Sequence, residues 1–268
     1  MKKSILFSTL LALAITSFLM SCNKEPEIGP NDKNTVTLEF DNRVGAQNLE
    51  MGSKTYKNAM NEDFTVTTFN YFVSNIKLKK ADGTEVKFDD QYFLVREADP
   101  KSLVVSLKDV PAADYTSVSF VVGVDSLKSV ADIAKRTGVL DVASYGDDAM
   151  YWSWNSGYIF MKFEGISPAA PPRANGTRLF QMHVGGFGGF SAKTTNNLRT
   201  ITLPINGDVA KVRKNTSPEI HLFVDVLKML DGSTKFSFVS TNNVHNPTVA
   251  MPIANNYANM FSIDHVHN

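Results

Sequence analysis

The chain has 268 residues, 43% of them hydrophobic and 20% charged, a globular balance that excludes a disordered or collagen-like polymer. Its 27 basic side chains match 27 acidic ones, so there is no cationic surplus of the kind that recruits nucleic acid, and nucleic acid is not an expected partner. A single cysteine excludes an intramolecular disulfide framework and any zinc finger built on several thiolates.

In chain order, Lys2 and Lys3 precede an apolar run over residues 4–20 that is too short for a good membrane-spanning helix. It ends in Leu19-Met20-Ser21-Cys22, which resembles a bacterial lipobox. Residues 1–21 therefore read as a lipoprotein signal peptide and Cys22 as the lipidated residue; an ordinary cleaved signal with an incidental cysteine is the alternative. Residues 22–34 are polar, with two prolines and one glycine, and read as the lipidated Cys followed by a flexible tether. Charge beside the Cys resembles the export signals of surface lipoproteins in Bacteroidota-type bacteria. The expected location is the cell envelope, lipid-anchored at the outer membrane, in either its periplasmic or its surface leaflet.

Residues 35–268 read as one domain of short strands. Val36, Leu38 and Phe40 alternate with polar residues, as do Leu103, Val105 and Leu107, and then Val118, Phe120, Val122 and Val124. Further strand-like runs lie at 64–69, 71–79, 157–163, 178–184, 198–205, 219–227, 235–239 and 260–266. Asp82-Gly83 and Asp231-Gly232 are each expected to close a hairpin. One short helix is expected from Ser129 as N-cap to Gly138. Many strands and one short helix give an all-β class: a single antiparallel β-sandwich, immunoglobulin-like or jelly-roll-like.

The common enzyme signatures are absent: no phosphate loop, no GxSxG elbow, no HExxH. The chain is expected not to be an enzyme. Its five histidines are its most informative titratable groups. His265-Val266-His267 would place two imidazoles on one side of a strand, about 7 Å apart, ready to clamp a metal with a third ligand; a solvated or core-satisfied tail is the plainer reading. Phe261 and Ile263 share their parity, so the imidazoles are expected to extend an apolar face. His183 precedes a Gly-rich loop, Gly185 to Phe190, which serves either a close backbone approach to a ligand or a tight bend. His221 shares parity with Asp225, which would orient a ligand imidazole or make a structural hydrogen bond. His245 reads as a loop residue. A calcium site among Asp89, Asp90, Asp147 and Asp148 competes with solvated turns. Trp152 and Trp154, the only tryptophans, face one side at period two, as core, as a stacking platform, or as partners of a metal.

Four segments together resemble the MbnP-like family: Gly123-Val124-Asp125-Ser126, the stretch from Met150 through Trp152, Trp154 and Tyr158 to Gly165, His183-Val184-Gly185-Gly186, and the strand from Asn70 to Leu78. The resemblance implies a periplasmic copper-binding protein of methanotrophs and many Bacteroidota lipoproteins as relatives. It implies copper held by histidines beside a tryptophan oxidised to kynurenine, and a dihaem oxidase or other copper-handling protein as partner. Carried over, it places Trp152 or Trp154 and His183 at the metal. His221, His265 and His267 join that candidate set on spacing alone. Two functions are thus expected in competition: a copper-binding envelope lipoprotein for sequestration or delivery, and a metal-free binding or structural lipoprotein that recognises a protein or glycan.

Overall fold

The computed structural model describes residues 28–268. The expected signal peptide and Cys22 lie outside the described residues. Among those described, no helix is long and apolar enough to cross a membrane.

The strands are β1 (Lys33–Val44), β2 (Gln47–Asn48), β3 (Tyr56–Lys57), β4 (Asp63–Lys80), β5 (Glu85–Arg96), β6 (Val104–Pro111), β7 (Ala113–Val122), β8 (Ile159–Ile166), β9 (Leu179–Gly185), β10 (Arg199–Pro204), β11 (Ala210–Val212), β12 (Glu219–Asp225), β13 (Asn243–Val244) and β14 (Phe261–His267). The helices are α1 (Ser126–Ser129), α2 (Val226–Leu230) and α3 (Pro247–Tyr257). One sheet runs β14-β12-β1-β2, with β6 also paired to β1; the other runs β10-β7-β4-β8-β9-β13, with β3, β5 and β11 paired to its members. The all-β sandwich class therefore holds. Most pairings are antiparallel, but β1 with β12 and β9 with β13 are parallel.

Period-two alternation builds the core. Val36, Leu38 and Phe40 of β1 and Ile220, Leu222 and Val224 of β12 face Phe64, Val66, Phe69 and Tyr71 of β4, all fully buried. Phe40 meets Tyr71 and Phe120 edge-on at 6.0 and 5.9 Å. Burial of each such side chain contributes about 1.5–3 kcal/mol. A second apolar cluster lies on the far side of the larger sheet. There the connection between β7 and β8 covers Phe72, Leu94 and Phe160 with Val124, Leu140, Met150, Trp152 and Tyr158. For this reason residues 69–74 of β4 are buried without alternation.

Several expectations change. Runs 64–69 and 71–79 are one strand, β4, and Asp82-Gly83 closes its hairpin with β5. The helix expected from Ser129 is instead a single turn, α1, capped by Asp125, followed by 3-10 turns. Val130 and Ile133, apolar residues that a longer helix would have to bury, are 52% and 63% exposed, so no burial sustains one. Asp231-Gly232 closes no strand hairpin. β12 passes straight into α2, and residues 235–239 contribute only the bridge between Asp231 and Lys235. The longest helix among the described residues, α3, lies where no element was expected; Asn246 caps it by accepting from Thr248 N, with Pro247 at its first position.

α3 is tied down by Asn256, which is fully buried. Its Nδ2 donates to Met229 O (3.0 Å) and Thr234 O (2.6 Å), and its Oδ1 accepts from Ser233 Oγ (3.3 Å). Asn256→Ala strips two sheltered carbonyls of their donor and should cost about 2–4 kcal/mol, or about 4–16 °C in Tm. Thermal unfolding beside Asn255→Ala, an exposed neighbour expected to shift far less, checks this.

Candidate metal centre

On β9, Phe180, Met182 and Val184 point into the core, so Gln181 and His183 turn to the opposite face. β8 lies antiparallel with Lys162 opposite His183 and Glu164 opposite Gln181. On the other flank β13 runs parallel to β9, pairing Asn243 with Gln181 and Val244 with Met182. One more step of that register sets His245 beside His183, and their rings meet edge-on at 4.3 Å and 72°.

His183 is buried. Its Nε2 lies 2.6 Å from Glu164 Oε1, which also accepts from Gln181 Nε2 at 3.1 Å. In the tautomer whose Nε2–H donates a hydrogen bond to that carboxylate, Nδ1 carries the ring's lone pair, and Nδ1 is sheltered without a hydrogen-bond partner. The hydrogen bond from His183 holds the Glu164 carboxyl below its ordinary range, against the opposing effect of burial. Burial, reinforced by the neighbouring His183, pushes His245 below the usual imidazole value. Burial likewise lowers the Lys162 ammonium. A carboxylate-oriented imidazole thus lies beside a second imidazole that resists protonation. That combination has the chemistry to donate lone pairs to a soft or borderline cation.

The tryptophans stand over this pair. Residues 150–159 fold back on themselves, Ile159 N donating to Met150 O at 2.9 Å and Trp152 N to Gly157 O at 2.8 Å. Trp152 is buried, Trp154 is 50% exposed, and their rings stack at 5.0 Å and 20°. Trp152 lies 6.5 Å, ring to ring, from His183. Glycine at 185 permits this approach, because a Cβ there would stand 2.7 Å from Trp152 Cζ3. Asn155 clamps the Gly-rich loop onto the hairpin: its Oδ1 accepts from Phe190 N and Ser191 N, and its Nδ2 donates to Ala192 O. The loop is therefore a packed bend that fixes the indole pair.

A family model described as MbnP matches residues 33–251. The chain belongs to the MbnP family. Among solved structures, MbnP from Methylosinus trichosporium aligns with a TM-score of 0.52 and 19% identity, over 77% of this chain and 82% of that one; at that identity the likeness concerns the fold. No curated protein matches the sequence. The MbnP match takes in Trp152, Trp154, Glu164, His183 and His245, and ends before β14.

The expected four-histidine set does not form one centre. His183 lies on the outer face of the larger sheet. His221, His265 and His267 lie on the outer face of the smaller one, with the core between them. Asp225 does not orient His221, since its Oδ1 accepts from Gly45 N and Leu227 N. His265 and His267 do not extend the apolar face. A bulge between Ile220 and Leu222 of β12 reverses the parity of β14, so Val266 pairs with Ile220 and the two histidines are exposed. Three of the four residues of the expected calcium site also part company. Asp148 pairs with Arg96 at 2.8 Å, while Asp89 and Asp90 line a groove with Asp125, whose carboxylate is engaged by Tyr92, Asn75 and the start of α1. His245, passed over as a loop residue, is the true partner of His183.

Proposed function

We propose that this MbnP-family protein is an envelope lipoprotein that carries copper as cargo at His183 and His245, beside the Trp152–Trp154 pair, and catalyses no turnover. The observation that carries the reading is the sheltered, partnerless Nδ1 of His183 in ring contact with a second imidazole that resists protonation. Neutral imidazoles suit Cu(I), Cu(II) and Zn(II), and copper binds such sites most tightly among the divalent ions. Glu164 orients His183 from behind. Two protein ligands leave coordination positions open, which suits a metal that must be handed on. Of the two indoles, Trp152 stands at the imidazoles while Trp154 covers it, so Trp152 is the one whose oxidation to kynurenine would alter the site. A dihaem oxidase would supply that oxidation. The lipid on Cys22 would hold the whole body at the outer membrane, within reach of such a partner.

The test is titration of the purified protein with Cu(I) and Cu(II), with bound metal counted by elemental analysis. His183→Ala/His245→Ala should lose one equivalent, and Glu164→Gln should weaken that equivalent by about 10–100-fold. Unchanged stoichiometry and affinity in both variants would overturn the reading. A second reading, a metal-free module that stacks a protein or glycan partner, is favoured by one observation: Trp154 is 50% and Phe190 39% exposed on the same clamped loop pair. It predicts that Trp154→Ala abolishes partner binding and that no copper binds to any variant.

A further inference from the structure

We propose a second metal site, for Zn(II) or Cu(II), formed by His221, His265 and His267 on the outer face of the smaller sheet. The three residues come from two paired strands. Ile220, Leu222 and Val224 of β12 are fully buried in the core, so His221 faces outward. The β12–β14 bulge turns His265 and His267 to that same side. One ligand atom from each of the three imidazoles lies within 4.8 Å of the others. His265 and His267 approach Nε2 to Nε2 at 3.0 Å. Two nitrogens bound at about 2.0–2.1 Å to one ion, cis or tetrahedral, lie about 2.9–3.3 Å apart.

The protonation pattern fits as well. His265 Nδ1 lies 2.7 Å from Asp264 Oδ2, so its proton is held there and Nε2 carries the lone pair. His221 Nδ1 lies 3.3 Å from Glu39 Oε2, brought alongside by the parallel register of β1 and β12, and His221 Nε2 is sheltered without a hydrogen-bond partner. Two of the three imidazoles are thus backed by carboxylates, the arrangement that orients histidine ligands. Without an ion, the short Nε2–Nε2 contact requires His267 to donate its Nε2 proton to His265. With one, that proton moves to His267 Nδ1 and the cation takes its place. The His221 and His265 rings lie face to face at 4.2 Å and 15°, so they tilt apart to turn nitrogens to a common ion. Three neutral imidazoles with Glu219 Oε2 at 3.9 Å from His221 Nε2 favour a divalent borderline cation over a hard one. β14 is the edge strand of its sheet, and an ion here would staple it to β12. His265 and His267 also lie beyond the segment matched by the MbnP family model, so this site belongs to the chain's own C-terminal strand.

The experiment uses the metal-stripped protein carrying His183→Ala/His245→Ala, which isolates the second cluster. Equilibrium dialysis against Zn(II) should give one bound ion per chain, and Cu(II) should give an electron paramagnetic resonance spectrum with nitrogen hyperfine splitting. Adding His265→Ala/His267→Ala, both exposed positions, should leave circular dichroism unchanged, abolish the bound Zn(II), and remove the hyperfine pattern. Should the His183→Ala/His245→Ala background not fold, the difference in bound Zn(II) between wild type and His265→Ala/His267→Ala decides the matter. Binding that survives the loss of His265 and His267, or the absence of any Zn(II) to lose, overturns the proposal.

Discussion

Trp152→Ala is expected to lower stability by about 3–5 kcal/mol, a fall in Tm of about 6–20 °C, whereas Trp154→Ala should cost no more than about 1 kcal/mol. The two indoles stack on each other, yet their surroundings differ. Trp152 belongs to the second apolar cluster with Phe72, Met150, Tyr158, Ile159 and Phe160, and the backbone at Gly185 lies against its six-membered ring. Removing it opens a cavity under the β7–β8 connection, bordered by strands that cannot close over it. Trp154 keeps half its surface in water, so its loss exposes one face of Trp152 and little more. Denaturant and thermal unfolding of both variants check the contrast. Equal losses would mean that the pair acts as a single structural unit and that Trp154 is not held out for a partner. The same comparison bears on copper. Trp152→Ala also removes the wall beside His183, so weakened copper binding there mixes packing with coordination, while Trp154→Ala reports on the indole shield alone.

The sandwich was legible wherever one strand face meets the core and the other meets water. Val36, Leu38 and Phe40 in β1, and Ile220, Leu222 and Val224 in β12, repeat at period two because a pleated strand offers no other way to bury one side. Legibility fails where that premise fails. Residues 69–74 of β4 are covered on both faces, so alternation vanished and one strand looked like two. At the end of α1 the local grammar of a cap is present in Ser129, but the segment after it buries no stripe. Propensity alone does not hold a helix of that length. At α3 the reverse holds: Pro252 stands inside the helix, so no helical pattern announces it, and packing of Ile253, Ala254 and Tyr257 against the core sustains it.

The site was half legible for the same kind of reason. His183, Trp152 and Trp154 were found because their segments resemble a family. His245 carries no local signal at all: it joins His183 only through the parallel register of a two-residue strand, β13, which no periodicity could reveal. Glu164 lies within the Met150–Gly165 stretch and carries no signal of its own. Its role follows from pairing across β8 and β9, which places Lys162 and Glu164 on the face of His183 and Gln181. His265 and His267 were rightly read as neighbours, but the face they occupy depends on one extra residue opposite His221. A bulge reverses every side chain beyond it and leaves no mark in a hydrophobic pattern.

Gly165→Ala should be severely damaging for a single added methyl, at about 3 kcal/mol or more and about 6–12 °C in Tm. Gly165 sits in β8 between Val66 of β4 and Phe180 of β9. A Cβ there would lie far inside contact distance of the Thr65 carbonyl oxygen and 2.5 Å from Phe180 Cζ. Phe180 cannot withdraw, because it stacks on Phe238 at 4.5 Å and against Phe163 at 5.0 Å. A backbone carbonyl in a central strand has no rotamer to change. The strands must therefore separate, and the hydrogen bonds between β4 and β8 weaken with them. Gly52→Ala is the control: its φ is +76° with nothing within 4 Å of the added Cβ, so only the left-handed backbone cost of about 1–2 kcal/mol applies. Gly165 also adjoins Glu164. A displaced β8 carries that carboxylate away from His183 Nε2, so copper affinity should fall together with stability in Gly165→Ala and stay unchanged in Gly52→Ala. A Gly165→Ala protein as stable as Gly52→Ala, or one that unfolds early yet binds copper at full affinity, would contradict the coupling between the β4–β8 pairing and the proposed metal centre.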